Sequence, residues 1–189
     1  MSTQARGLVW LVVAWGSLLS LAQADDVGLR PTDIVSVFHI SNSGSRNEVH
    51  YAVHVDASCA LSGDAPLFAY WRDLEDGAHA TSRLSFIEER GYGIAYQRRA
   101  ANADGTTLLR VALRGVPARE VQVTTRLVDG RCTADARTRV AGTRAVLDLI
   151  FVQTGGLFSI DWIELRGRRL RDAAAVRERV DMTAQYAGR

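Results

Sequence analysis

The sequence predicts a mainly β protein: a single antiparallel β-sandwich or barrel-like domain of about eight strands, with one short internal helix and a C-terminal helix. Three observations lead to this class. Apolar and polar residues alternate with a period of two over several segments of strand length. Clusters of turn-forming residues separate these segments. Helical patterns are confined to two places, which are too few for a series of βαβ crossovers.

The first two predicted strands form a hairpin. Residues 34–41 and 48–55 alternate between apolar and polar side chains, and residues 42–47 between them are turn formers. The alternation is expected to run unbroken through the first strand. Placing the apolar faces of both strands against one core sets a register in which His39 lies opposite His50 on the polar face.

A short helix is expected after an apolar run at 66–71. Ser85 and Glu88 have the spacing of a capping box, and Gly91 is placed to end the helix. The sequence therefore predicts a helix near 82–90.

Three further strands follow in the middle of the chain. Residues 107–114 and 121–128 alternate, and a third strand begins at Arg131. The Asp-Gly pair before Arg131 is a strong signal for a two-residue hairpin turn. That turn pairs Leu127 with Cys132 and predicts that Cys132 faces the core.

The C-terminal part of the sequence predicts a central strand, a further strand and a helix. Residues 144–152 are apolar on both faces except for one aspartate, and residues 159–165 read as another strand. Residues 172–185 are rich in alanine, start with a capping aspartate and contain an i,i+4 ion pair, so they predict a helix. The β core is expected to span about 34–171.

Residues 1–24 have the three-part pattern of a secretory signal peptide. Arg6 supplies the positive charge, residues 8–22 are apolar, and Ala22 and Ala24 form a small-residue cleavage site. We expect one β-rich domain over 25–189, exported to the periplasm or the extracellular space after cleavage near Ala24. An uncleaved membrane anchor is the alternative, although the apolar run is short for it. No transmembrane segment is expected in the mature chain.

Composition excludes several kinds of chemistry. All 23 basic residues are arginines, so a lysine base, Schiff base or phosphate-binding lysine is excluded. The formal net charge of +2 is close to neutral and does not suggest a nucleic-acid partner. Cys59 and Cys132 are the two cysteines, which predicts a disulfide in an exported protein. Two unpaired buried thiols are the alternative. No cofactor is predicted.

The predicted histidine pair is the first candidate site. His39 and His50, with Glu48 beside them, could hold a metal ion, although two good ligands are fewer than a stable site needs. They could instead sense pH, because adjacent imidazoles resist double protonation. The third interpretation is a solvated strand face.

An arginine-rich face is the second candidate. Arg110, Arg126 and Arg137, together with Arg114 and Arg139, are expected to point away from the core on neighbouring strands. Such a face can bind sulfate, phosphate or carboxylate groups. A solvated face in a protein whose only cation is arginine is the alternative.

The third candidate is the segment 88–93. The segment combines Glu88, Glu89, Arg90 and Tyr92 with two glycines, and paired carboxylates perform acid–base work in glycosidases. Adjacent carboxylates point in different directions on a helix, so a further partner would be needed. No G-x-S-x-G, H-E-x-x-H, C-x-x-C or G-x-G-x-x-G motif occurs in the sequence.

Five sequence blocks in a fixed order carry a resemblance to a known family: 38–43, 47–51, 66–72, 87–94 and 162–167. Together they resemble domain-of-unknown-function family 4833, a group of exported bacterial proteins. The resemblance covers almost the whole mature chain and implies a small, mainly β domain, with no established activity. Gly91 departs from the alanine expected in an Ala-Tyr-Gly run.

Two functions from different classes are consistent with these features. The first is a non-enzymatic binding or structural module of the envelope or periplasm, with an anionic or carbohydrate component as its partner. The second is a hydrolase acting on a cell-envelope polymer, with Glu88 or Glu89 and His39 or His50 as acid–base groups. The second hypothesis requires these side chains to converge in one cleft.

Overall fold

The computed structural model describes residues 34–75, 79–102, 105–155 and 159–182. The expected signal peptide and its cleavage site near Ala24 lie outside these residues, as do positions 183–185 of the expected C-terminal helix. Within the described residues there are eleven strands and one helix. None of these elements is a helix long and apolar enough to cross a membrane.

The elements follow one another in a simple chain order. They are β1 (Ile34–Asn42), β2 (Ser45–His54), β3 (Leu67–Arg72), β4 (Thr81–Arg83), α1 (Phe86–Tyr92), β5 (Ile94–Ala101), β6 (Thr107–Leu113), β7 (Val116–Val128), β8 (Arg131–Val140), β9 (Thr143–Thr154), β10 (Ile160–Arg169) and β11 (Ala175–Asp181).

Strand β9 is the branch point of a single mixed sheet. Its first residues pair with β8, and Leu149–Val152 pair with β1 in a parallel ladder. Along its length it also pairs with β10, which in turn pairs with β11. Two arms therefore diverge from β9: a first arm of β1 to β4 and a second arm of β5 to β8.

The two arms enclose one contiguous core. The inward faces of β1 and β2 contribute Phe38 and Tyr51, whose rings stack with centroids 4.4 Å apart. The second arm contributes aliphatic side chains that are almost fully buried: Leu109, Val111, Leu113, Val121 and Val123. Alternation leaves polar side chains such as His39, Glu48 and His50 on the outer surface of the first arm.

The arms approach each other again at β3 and β5 without a backbone ladder between them. The Gln97 side chain of β5 accepts a hydrogen bond from the Leu67 N–H at 3.0 Å and donates one to the Leu67 carbonyl at 2.9 Å. A single amide side chain thus replaces a strand pairing at this position. The disulfide between Cys59 and Cys132, as predicted, ties the segment after β2 to the start of β8.

Several expectations about architecture need correction. The mainly β class is confirmed, but the sheet has eleven strands rather than about eight, and its ladder is open rather than closed as a barrel or split into an antiparallel sandwich. The parallel pairing of β1 with β9 was not expected, because it joins residues about 110 positions apart.

The expected C-terminal helix is wrong. Residues Ala175–Asp181 form β11, in which Val176 and Val180 pack towards the core and Arg177 and Arg179 are exposed. The alanine run favours a helix locally, but pairing with β10 and burial of the alternate valines decide the outcome.

The expected alternation of the first strand is interrupted by a bulge. The register with β2 shifts between Ser36 and Phe38, so Phe38 faces the core whereas Ile34 and Ser36 turn to the outer surface. The bulge places these two residues beside the outer face of β3.

Candidate functional site

Two histidines and a glutamate meet on the outer face of the first arm. His39 lies directly opposite His50, as predicted, and their rings stack with centroids 5.3 Å apart. The Glu48 carboxylate is hydrogen-bonded to His50 Nε2 at 2.7 Å and lies 3.7 Å from His39 Nε2. We call these three residues the histidine cluster.

Burial is the largest influence on the pKa of His39. Desolvation lowers the pKa of His39 below its ordinary value, and the nearby His50 and Arg72 act in the same direction. The carboxylates of Glu48 and Asp148 oppose the shift without reversing it. In the part of the chain that the structure describes, no group of three His, Cys, Asp or Glu side chains is arranged to hold a metal ion.

A groove of about 670 Å³ lies on the same outer surface, between β1 to β4 and α1. Its walls include three ring side chains, those of His54, Phe68 and Tyr70. These rings stack on one another, with centroids 4.6 Å apart for His54 and Phe68 and 5.8 Å for Phe68 and Tyr70. Arg83 and Glu89 add one charge of each sign. We call this space the aromatic groove.

The helix α1 confirms the predicted capping box and uses Glu88 for it. The Glu88 carboxylate accepts a hydrogen bond from the Ser85 N–H at 2.6 Å, and the Ser85 hydroxyl accepts one from the Glu88 N–H. Burial raises the pKa of Glu88, but the hydrogen bonds from Ser85 hold it below its usual value. The helix covers Phe86–Tyr92 rather than 82–90, because residues 82 and 83 belong to β4, and it is capped at its end by Gly93 rather than Gly91. Glu88 serves to cap the start of this helix.

Arg90 and Tyr92, in the same segment, lie in different surroundings. Arg90 is exposed and stacks over the Phe86 ring, with its guanidinium carbon 4.8 Å from the ring centroid. Tyr92 packs against the core, and its carbonyl accepts a hydrogen bond from the buried Tyr51 hydroxyl. Burial, and then the Glu88 carboxylate, raise the pKa of Tyr92.

The structure does not bring the proposed acid–base residues together. The Glu88 carboxylate lies near Tyr92, and Tyr92 packs against the core. Glu89 instead lines the aromatic groove. The walls of that groove include neither His39 nor His50. The groove that Glu89 lines is therefore not lined by either imidazole.

Three of the five arginines selected from the sequence, Arg110, Arg126 and Arg137, have a carboxylate partner. Arg110 lies 3.8 Å from Glu120, and Asp135 is shared by Arg126 at 2.9 Å and Arg137 at 3.5 Å. Because these pairs are partly exposed, each contributes little to stability, and each reduces the charge available to a ligand.

A cleft of about 740 Å³ lies beside Arg137, where the β8–β9 turn meets β7 and β11. Six charged residues line this arginine cleft: Arg119, Arg137, Arg139, Arg144, Glu120 and Glu178. Four positive charges therefore face two negative charges.

Both carboxylates of the cleft already have partners. Glu178 accepts two hydrogen bonds from Arg119, at 2.7 and 2.9 Å, and a third from the Ala141 N–H at 2.6 Å. The hydrogen bonds from Arg119 are the main reason that the pKa of Glu178 is lowered. Glu120 accepts a hydrogen bond from the Tyr96 hydroxyl at 3.3 Å.

Two arginines of the cleft keep their charge uncompensated. Arg139 lies directly opposite Arg144 across the β8–β9 hairpin, and within the described residues neither guanidinium contacts a carboxylate. Like charges in opposing positions destabilise a sheet. The turn between them places Ala141 at a φ of 49°, which L-residues rarely adopt. Such local costs concentrate at functional positions.

Sequence reasoning found only part of this cleft. The arginine face predicted from the sequence does not include Arg119 or Arg144. Residue 144 belongs instead to the predicted apolar central strand. The signal was available: a two-residue turn at Ala141 and Gly142 sets Arg139 against Arg144.

Comparison with known proteins identifies a family but no characterised relative. No curated protein and no solved structure matches this chain. A model of the family described as "Domain of unknown function (DUF4833)" matches residues 38–179, which include the histidine cluster, the aromatic groove from β2 onwards and the arginine cleft. The chain therefore belongs to the DUF4833 family.

Proposed function

We propose that this protein is a non-enzymatic binding module that holds an anionic component of the cell envelope in its arginine cleft. The carrying observation is the uncompensated pair of Arg139 and Arg144, directly opposite each other and beside two carboxylates that are already engaged. An anion between these guanidiniums would remove the repulsion between them and gain charge-assisted hydrogen bonds.

The chemistry of the cleft favours a sulfate, phosphate or carboxylate group carried on a larger molecule. Arginine presents a planar set of N–H donors that fits such groups in a bidentate manner. The cleft is open and lies within the usual size range of ligand sites. A polymer with repeated anionic groups would also reach neighbouring arginines of the second arm.

Binding of dextran sulfate, compared with uncharged dextran of the same length, tests this proposal. We expect the wild-type protein to bind dextran sulfate and not dextran, with an affinity that falls as salt is added. The double variant Arg139→Gln/Arg144→Gln should bind at least about tenfold more weakly, since each lost charged hydrogen bond is worth about 1.5–3 kcal/mol.

A matched control separates the cleft from overall charge. Arg98 and Arg131 are exposed and lie outside the cleft, so Arg98→Gln/Arg131→Gln removes the same net charge. This control should keep most of the affinity. The proposal is wrong if both double variants bind equally well, or if dextran binds as tightly as dextran sulfate.

We also propose that the protein acts in an exported compartment. The signal-like residues 1–24 and the disulfide of Cys59 with Cys132 support this location, because disulfides persist in oxidising environments. Expression of the full chain in a bacterial host, fractionation and N-terminal sequencing provide the test. A mature protein that starts at Asp25 in the periplasm or medium is expected, and a cytoplasmic protein with an intact N-terminus would contradict the proposal.

The hydrolase alternative has less support. Its proposed groups, Glu88 or Glu89 with His39 or His50, lie in separate places, and Glu88 is already used to cap α1. Release of reducing ends or peptides from purified envelope polymer, abolished by Glu89→Gln, would favour the hydrolase over the binding module.

A further inference from the structure

We propose that the aromatic groove is a second binding site, which takes a short peptide with a free amino terminus, a free carboxylate and apolar side chains. The groove lies on the first arm and shares no lining residue with the arginine cleft on the second arm. The two sites therefore differ in place and in chemistry, and this inference stands independently of the proposed function.

The apolar part of the groove comes from residues that normally belong to a core. Ile34, Phe68 and Leu84 line it and are only partly covered. The bulge in β1 is what turns Ile34 outwards, away from the inward face on which Phe38 lies. An apolar surface of this kind gains free energy when a ligand removes it from water.

The ring side chains define which apolar groups fit. His54, Phe68 and Tyr70 form a row of stacked rings that continues to His50, so both faces of Phe68 and Tyr70 are occupied and their edges are left for a ligand. Sugars bind best on an uncovered ring face. Side chains of leucine or phenylalanine can instead pack between ring edges, in the edge-to-face geometry that aromatic groups prefer.

The polar part of the groove has two opposite charges without partners. Within the described residues, neither the Arg83 guanidinium nor the Glu89 carboxylate forms an ion pair, with each other or with any other group. Their charged atoms are thus more than 4.0 Å apart. A ligand with an ammonium group at Glu89 and a carboxylate at Arg83 would complement both charges at once.

The volume of the groove suits a peptide of two or three residues. An extended chain advances about 3.3–3.6 Å per residue, so the termini of a dipeptide can reach two charges that do not contact each other. The volume of about 670 Å³ is within the range of small-ligand sites. Hydroxyl groups of Ser36, Thr81 and Ser82 on the wall can hydrogen-bond the peptide backbone.

Calorimetric titration with three forms of one dipeptide tests the inference. The probes are Phe-Phe, its N-acetylated form, which lacks the ammonium group, and its C-terminal amide, which lacks the carboxylate. We expect the wild-type protein to bind Phe-Phe at least about fivefold more tightly than either blocked form, because each form loses one charged contact.

Two variants assign each charge to its partner. In Glu89→Gln, Phe-Phe and its acetylated form should bind equally, while the amide still binds more weakly than Phe-Phe. In Arg83→Gln, Phe-Phe and its amide should bind equally, while the acetylated form still binds more weakly. Arg90→Gln and Asp64→Asn change the same charges at exposed positions outside the groove and should leave all affinities unchanged.

Several outcomes would overturn the inference. Equal binding of all three peptides to the wild-type protein would mean that the charges play no part. An absence of binding at 5 mM peptide, about the weakest affinity of interest here, would exclude a peptide site of this kind. A loss of affinity in Arg90→Gln equal to that in Arg83→Gln would place the ligand elsewhere. The Arg139→Gln/Arg144→Gln protein should bind Phe-Phe normally, whatever its affinity for dextran sulfate.

Discussion

The contact between Gln97 and Leu67 gives the sharpest prediction about stability. Gln97 is the point where the second arm meets the first, and its side chain makes two hydrogen bonds to the backbone of Leu67. Leu67 is 2% exposed, so water can replace these bonds only poorly. The substitution Gln97→Ala leaves an N–H and a carbonyl of β3 without partners.

The expected loss follows from the number of bonds. A typical intramolecular hydrogen bond contributes about 0.5–1.5 kcal/mol, and a buried group left unpaired costs about 1–3 kcal/mol. Because Leu67 is buried whereas Gln97 is only partly buried, we expect Gln97→Ala to lower the free energy of unfolding by about 2–3 kcal/mol in total. For a domain of this size, that loss lowers Tm by roughly 4–12 °C.

Urea unfolding with the disulfide intact measures the global loss, and amide hydrogen exchange at Leu67 measures the local one. Gln97→Glu keeps the acceptor but loses the donor, so its free energy of unfolding should lie between those of wild type and Gln97→Ala. It should fall below both if the carboxylate repels the Leu67 carbonyl. Gln153→Ala is the matched control, since among the described residues the Gln153 side chain hydrogen-bonds only to the neighbouring Thr154 carbonyl. A loss below about 0.5 kcal/mol for Gln97→Ala, the usual range of surface substitutions, with unchanged exchange at Leu67, would refute the reasoning.

Three further predictions concern the disulfide, the end of α1 and the histidine cluster. Replacing Cys59 and Cys132 by serine opens a cross-link between positions 73 residues apart, which should cost about 4 kcal/mol in urea unfolding; equal stability with and without reductant would contradict this. Gly93→Ala should destabilise by more than about 2 kcal/mol, because a Cβ there would lie 2.2 Å from a helix carbonyl oxygen, whereas Gly91→Ala meets no atom within 4 Å and should stabilise by about 0.5–1 kcal/mol. Since the pKa of His39 is lowered in the folded state, the unfolded chain binds its proton more readily, and the free energy of unfolding should fall as the pH drops through about 6.5. His39→Gln should show a smaller fall between pH 7.5 and 5 than wild type does, and an identical pH dependence in the two proteins would be inconsistent with this account.

Local patterns predicted local structure well. The pairing of His39 with His50 followed from alternation and a turn, and the Asp-Gly turn gave the pairing of Leu127 with Cys132. The capping box at Ser85 also formed as expected. Each of these features depends on residues close together in the chain, where side-chain chemistry and geometry act directly.

Features that depend on distant contacts were not predictable in the same way. The parallel pairing of β1 with β9 leaves no local signature in the sequence. Residues 144–152 are apolar on both faces, which indicates a central strand but not which strands lie beside it. The C-terminal segment has a helical composition, and only the pairing with β10 makes it a strand. A bulge of one residue in β1 reversed the faces of Ile34 and Ser36.

The candidate sites follow the same division. The arginine face was predicted as a stripe of outward residues, but its members Arg110, Arg126 and Arg137 have carboxylate partners on neighbouring strands. The acidic side chains of other strands decide which arginines remain uncompensated. Strand β11 matters most, since its Glu178 forms an ion pair with Arg119. The aromatic groove required the bulge and therefore could not be seen in the sequence.

The position of β9 at the junction of both arms has a consequence for the order of folding. During synthesis from the N-terminus, β1 to β8 can form local hairpins. The second edge of β1 is covered only when residues about 110 positions further along the chain have been made. Until then, the free edges of β1 and β8 are templates for pairing with other chains. Pairing across such a long separation is also slow. We therefore expect chains that stop before residue 143 to aggregate rather than to fold as a shorter domain. Folding of the domain is completed only when the last quarter of the sequence is present.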